Sequence, residues 1–90
     1  MGELLADVLI YDQITIGVAP TLIVEGNSMR RGLVLVQEGS TDIRIGDVNV
    51  TTGTGLLLLG TKGSALSLPT SAAVYGIAAS PVGLSFMELF

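Results

Sequence analysis

The chain has 90 residues, of which 49% are hydrophobic and 13% are charged, and its formal net charge at pH 7 is −4. This length predicts one domain, and the hydrophobicity is too high for a disordered chain. Because the sequence contains no cysteine and no histidine, it excludes a thiol nucleophile, a serine–histidine triad, a disulfide and an ordinary zinc site. The acidic balance argues against nucleic acid and anionic membranes as partners, since both attract basic surfaces.

The first segment, residues 1–12, is the most ambiguous part of the sequence. It begins with helix formers and ends with the β-favouring residues Val8 to Tyr11, so a short helix, a strand and an arm all remain open. We favour an N-terminal arm or strand over 1–12, followed by one β domain over 13–90. Five apolar side chains of the segment are expected to contact a partner, such as a neighbouring subunit, namely Leu4, Leu5, Val8, Leu9 and Ile10.

Period-2 alternation of apolar residues recurs along the rest of the chain, while helical periodicity does not. Alternation predicts strands with one buried face at residues 14–18, 43–45 and 66–68. Three further segments are apolar on both faces, which is typical of central strands or of strands whose outer face meets a partner; they lie at 31–37, 72–79 and 82–89.

Turn-forming residues separate these segments at intervals of about eight to twelve residues, a spacing typical of β-sandwiches and barrels. We therefore predict an all-β fold: a small antiparallel β-sandwich or jelly-roll-like barrel of about seven to nine strands.

Two motifs suggest a phosphate-binding loop and a metal site, but neither has the residue spacing that such a site needs. The run Gly60-Thr61-Lys62-Gly63-Ser64 misses the spacing of a phosphate-binding loop, so the glycines beside the leucines at 56–59 predict turns. Asp42 and Asp47 lie an odd number of positions apart, which places them on opposite faces of a regular strand, with no third ligand between them. We expect no enzymatic activity, no cofactor and no bound metal.

The doublet Arg30-Arg31 opens the most apolar of the predicted strands. One interpretation is a solvated strand start with a salt bridge to Glu25 or Glu38. The other is a subunit contact, because a guanidinium group binds a carboxylate with two parallel hydrogen bonds.

The two-faced strands predict an oligomer. One face of each enters the core, and a chain with 13% charged residues has little polar surface to cover the other. We therefore expect Val34, Leu57 and Met87 to lie at a subunit interface together with the two arginines, and a closed oligomer to bury them. Replacing Val34 or Leu57 with aspartate is expected to dissociate the assembly.

The stretch 28–46 contains an Arg-Arg-Gly-Leu strand, a turn with Gly39-Ser40 and an Ile-x-Ile-Gly strand at 43–46. This order resembles a pattern in small virion proteins of tailed bacteriophages. The runs at 50–56, 64–68 and 73–78 continue it, so the resemblance covers about residues 28–90. The turn Gln37-Glu38-Gly39 departs from the Gln-Asn-x-Gly that is more usual there, although both sequences form turns.

The resemblance implies a small β-barrel or sandwich that decorates or cements a capsid, commonly as a homotrimer. We accordingly expect a structural virion protein, made in the host cytoplasm and located on the capsid surface. Its expected partners are further copies of itself and the major capsid protein or other virion proteins. Two alternatives stay open: a tail, spike or head-fibre module, and a small glycan- or ligand-binding β domain.

Overall fold

A computed structural model describes residues 8–90 as two antiparallel sheets of four strands each. The strands in chain order are β1 Leu9–Ile16, β2 Thr21–Val24, β3 Gly32–Gln37, β4 Ile43–Gly46, β5 Leu56–Leu58, β6 Ala65–Leu68, β7 Val74–Ala78 and β8 Val82–Leu89. The predicted all-β fold is confirmed as a sandwich; it is not a closed barrel.

The strand order is β1-β8-β3-β6 in the first sheet and β2-β7-β4-β5 in the second. Each strand of the first half of the chain thereby pairs with one of the second half: β1 with β8, β2 with β7, β3 with β6 and β4 with β5. This nested pairing, a long hairpin wrapped into two sheets, is the strand order of a jelly roll.

Strand position agrees with the predicted pattern in most places. The three segments predicted as apolar on both faces became β3, β7 and β8, and each lies between two neighbours. The leucine run at 56–59 is also apolar on both faces, which predicts a central strand or a partner on the outer face. The structure makes β5 an edge strand in which Leu58 is buried and its neighbours are exposed. β2 was not predicted, because four residues after Pro20 are too short for a clear alternation.

The core lies between the sheets and is formed by the inward residues of each strand. In β3, Leu33 and Leu35 are buried, whereas Val34 and Val36 point outward and are partly exposed. Leu84 of β8 and Ile43 of β4 reach the same core from opposite sheets. Burial of such side chains stabilises the fold by about 1.5–3 kcal/mol each.

The segment predicted as an arm or strand is a strand from Leu9 onward. β1 pairs with β8 at every position from Leu9 to Ile16, so it crosses the predicted arm–domain boundary at residue 12 without interruption. Pairing satisfies the backbone N–H and C=O groups that an unattached arm leaves to solvent. Leu4 and Leu5 lie outside the described residues.

Buried Gln37 and a close approach at Gly60 secure one end of the sandwich. The Gln37 side-chain amide donates to the carbonyls of Thr41 and Leu59, at 2.9 and 3.2 Å, and its oxygen accepts the Gly39 N–H at 3.1 Å. A Cβ atom at Gly60 would lie 2.5 Å from the Ser40 carbonyl oxygen, so this turn requires glycine. The two connections that follow β3 and β5 are thereby held together.

Candidate interaction surface

The outer face of the first sheet carries a continuous set of apolar side chains. Pairing aligns Tyr11 of β1, Met87 of β8 and Val34 of β3 in one row across three strands. The next row holds Gln13, Ser85 and Val36. We call the apolar members of these rows, Tyr11, Val34, Val36 and Met87, with Leu9 and Leu89 at their end, the apolar face.

A shallow groove of about 530 Å³ lies on the apolar face. Tyr11, Met87, Val34 and Val36 supply much of its lining, together with Asp12, Gln13, Ser85 and Phe86. Polar groups lie at its margin, where the Ser85 hydroxyl donates to the Glu38 carboxylate. The surface can therefore bury apolar area against a partner while its rim stays hydrated.

The start of β1 extends the apolar face to the edge of the sheet. Leu9 and Tyr11 lie on this face and are 52% and 71% exposed, whereas Val8 and Ile10, at 53% and 50% exposed, alternate to the opposite side of the strand. Exposed large apolar side chains grouped in this way are typical of surfaces that bind a partner.

The outer face of the second sheet also carries apolar side chains, and some of them are covered by the chain itself. Ile77 points outward opposite Arg44, yet it is only 8% exposed. Arg44, Leu57 and Thr52 surround it in a small depression of about 190 Å³, and the Arg44 guanidinium donates to the Gly55 carbonyl at 3.3 Å.

Arg30 is a buried structural residue. Its side chain is 0% exposed and pairs with Glu88 at 3.0 Å. The guanidinium also donates to the carbonyls of Thr70 at 3.0 Å, Glu25 at 2.8 Å and Ala72. The salt bridge predicted to Glu25 or Glu38 is therefore made to Glu88 instead, and the position is not a solvated strand start, because the 69–72 connection folds over it.

The structure brings some of the predicted interface residues together and separates others. Val34 and Met87 are direct cross-strand neighbours on the apolar face. Leu57 is 42% exposed but lies opposite Arg44 on the second sheet. Arg31 is exposed beside buried Arg30, and its backbone N–H donates to the Leu89 carbonyl at 2.7 Å.

Tyr11, Gln13 and Ser85 belong to the groove but were not among the predicted site residues. The pairing of β1 with β8 places them beside Met87 and Val34, and the sequence carries no signal for that pairing. Val36 has the same parity as Val34, so the alternation alone indicates its position.

The two aspartates considered for metal binding act as turn residues. The Asp42 carboxylate accepts the Gly60 N–H at 2.7 Å, and the Asp47 carboxylate accepts the Asn49 N–H at 2.9 Å. Within residues 8–90, no three acidic side chains lie close enough together to hold a metal ion. The described part of the chain also contains no helix that is long and apolar enough to cross a membrane.

Comparison with known proteins finds no matching protein-family model, no matching curated protein and no matching solved structure.

Proposed function

We propose that this protein is a structural virion protein that decorates or cements a bacteriophage capsid through protein–protein contacts. The observation that carries the proposal is the apolar face, where Tyr11, Val34 and Met87 lie together on a chain with 13% charged residues. Such a surface is suited to assembly. The resemblance of residues 28–90 to small phage virion proteins supplies the virion context.

The fold is compatible with this role. Eight-stranded jelly rolls occur in viral capsid domains, but also in lectin domains and cupins, so the architecture supports the proposal only by analogy. The protein acts by binding, without a catalytic site. The resemblance supports three-fold association, while the apolar face calls for an oligomer of any closed symmetry.

Many identical copies suit attachment to a capsid. Each subunit contributes a modest contact, and a closed oligomer presents several such contacts at once. Multivalent attachment raises the overall avidity by about 10²–10⁴ when the geometry allows simultaneous binding. The proposed partners are therefore other copies of this chain and the major capsid protein or another virion protein.

Electron microscopy of phage virions labelled with an antibody against this protein tests the proposal. Regular label over the head is the expected result. Label confined to the tail or to fibres would support the tail, spike or head-fibre alternative, and virions without label would refute a virion role.

The groove favours one alternative from another class. Its volume of about 530 Å³ lies within the range of small-molecule sites, about 300–1,000 Å³, and Tyr11 offers an exposed aromatic ring for a sugar. Binding of the purified protein to a glycan array would support a glycan-binding β domain. Loss of that binding in Tyr11→Ala, with the fold retained, would locate it in the groove.

A further inference from the structure

Among residues 8–90, four strands lie at sheet edges, and β1 differs from the other three. β2 has four residues and a register shift between Leu22 and Val24, β5 has three residues and β6 has four. β1 has eight residues in one unbroken register with β8; like the other three it contains neither proline nor lysine, and Asp12 is its one charged residue. Shortness, irregular register, proline and charged side chains are the features that usually keep edge strands from pairing with other chains.

The register shows which backbone groups of β1 face its open edge. The Phe90 N–H donates to the Val8 carbonyl at 2.9 Å, and bonded pairs alternate along an antiparallel ladder. Even-numbered positions of β1 therefore bond to β8, while the N–H and C=O groups of the odd-numbered positions point away from it. Consistent with this, the N–H of Gln13 bonds to the Asp12 carboxylate at 2.8 Å.

The opposite edge of the same sheet, β6, is a poorer partner for β1. The Gln37 N–H donates to the Ser64 carbonyl at 2.8 Å, so the outward positions of β6 are Ala65 and Ser67. Head-to-tail pairing of β1 with β6 of another copy would pair at most two outward positions of β1, because β6 offers only those two. Two β1 strands match each other in length, and a two-fold contact between them is closed because both copies use the same patch.

Charge and burial select the register of such a pair. Outward positions must face outward positions, so the axis passes beside a residue and not between two, and the candidates near the middle of β1 are Tyr11, Asp12 and Gln13. An axis at Asp12 sets two carboxylates directly opposite each other, which is destabilising. An axis at Gln13 moves the contact toward Ile16, whose side chain is already buried in the sandwich and gains no further burial from pairing. An axis at Tyr11 covers the start of β1, where each side chain is at least 50% exposed.

We therefore propose that two copies of this chain pair through β1 as antiparallel strands about a two-fold axis at Tyr11. Tyr11 lies opposite its equivalent in the second copy. Leu9 lies opposite Gln13, whose N–H exchanges the Asp12 carboxylate for the Leu9 carbonyl of the second copy. The two first sheets thereby join into one continuous sheet. This pairing does not rest on the proposed virion role. With three-fold association through the apolar face it links trimers to one another, and without that association it builds a dimer.

Spin labels on single cysteines test the pairing, since the chain contains no cysteine of its own. Leu9→Cys, Tyr11→Cys, Gln13→Cys and Thr15→Cys are labelled one at a time in the full chain. The register predicts Cα separations between copies of about 5.5 Å at position 11, about 14 Å at 9 and 13, and about 27 Å at 15. Electron paramagnetic resonance measures them. A shortest separation at any position other than 11, or no coupling between copies, would overturn the proposal.

Two proline variants supply a matched control. Tyr11→Pro and Thr15→Pro each remove an N–H that points away from β8, so both keep the β1–β8 ladder. The register places only Tyr11 inside the contact. Tyr11→Pro is expected to weaken pairing by about tenfold, and Thr15→Pro to leave it unchanged, as measured by analytical ultracentrifugation of variants whose fold is checked by circular dichroism. Equal effects of the two variants would contradict the register.

Discussion

The two outer faces of the sandwich are made by strands of similar composition but are covered in different ways. On the second sheet, outward Ile77 is 8% exposed because Arg44, Leu57 and Thr52 surround it. On the first sheet, Tyr11, Met87 and Val34 lie in one row that forms an open groove. A face that the chain itself covers needs no partner, whereas an apolar face left open is suited to one.

The largest expected effect is on the free energy of unfolding, and it distinguishes buried Arg30 from Arg44 on the second face. Arg30→Met removes the partner of the Glu88 carboxylate and the donor to three backbone carbonyls. Since this leaves a partly buried charge unpaired, the free energy of unfolding is expected to fall by about 3–5 kcal/mol. Arg44→Met, on the second face, removes one long hydrogen bond and is expected to cost less than about 1 kcal/mol. Urea denaturation measures both, and similar costs would contradict the structural role of Arg30.

Adjacent residues of β3 separate the core from the apolar face. Leu35 is fully buried, so Leu35→Ala is expected to destabilise the subunit by about 2–5 kcal/mol. Val34 points outward, and Val34→Ala is expected to cost less than about 1 kcal/mol in the isolated subunit. Chemical denaturation, at a protein concentration too low for the subunits to assemble, measures the free energy of unfolding of both variants. A larger loss from Val34→Ala would mean that the two faces of β3 are assigned the wrong way round.

Assembly distinguishes the two outer faces most directly. Val34→Asp places a carboxylate in the groove beside Met87 and is expected to raise the dissociation constant of the oligomer by about 10–100-fold, because the charge must be desolvated on association. Leu57→Asp introduces the same change on the second face, where the structure now predicts little effect. Light scattering across a dilution series measures the mass, and dissociation by Leu57→Asp alone would assign the interface to the second sheet.

The smallest effect expected is that of salt. Contact through the apolar face depends on buried apolar area and not on paired surface charges, so screening has little to weaken. The dissociation constant is expected to change by less than about twofold between low and high sodium chloride concentrations, and sulfate is expected to tighten assembly slightly. Sedimentation at several salt concentrations measures this; a steep loss of association in sodium chloride would indicate an interface formed by charged residues.

The local pattern of the sequence predicts much of the fold. Alternation identifies the strands around Ile16, Ile43 and Leu66, and residues that are apolar on both faces identify β3, β7 and β8 as central. The same parity argument places Val34 and Val36 on the side opposite Leu33 and Leu35. These properties are local, because side chains of a strand alternate between faces whatever its neighbours are.

By itself, the sequence determined the β class, three of the four central strands, β3, β7 and β8, and the outward position of Val34 and Met87. Only the tertiary structure decided which strands share a sheet, because the pairs β1–β8 and β3–β6 join residues far apart in the chain. That pairing put Tyr11 beside Met87 and placed Leu57 on the other face from Val34. It also buried Arg30 against Glu88. The physical reason is that alternation selects a face of a strand, whereas long-range pairing selects its neighbours.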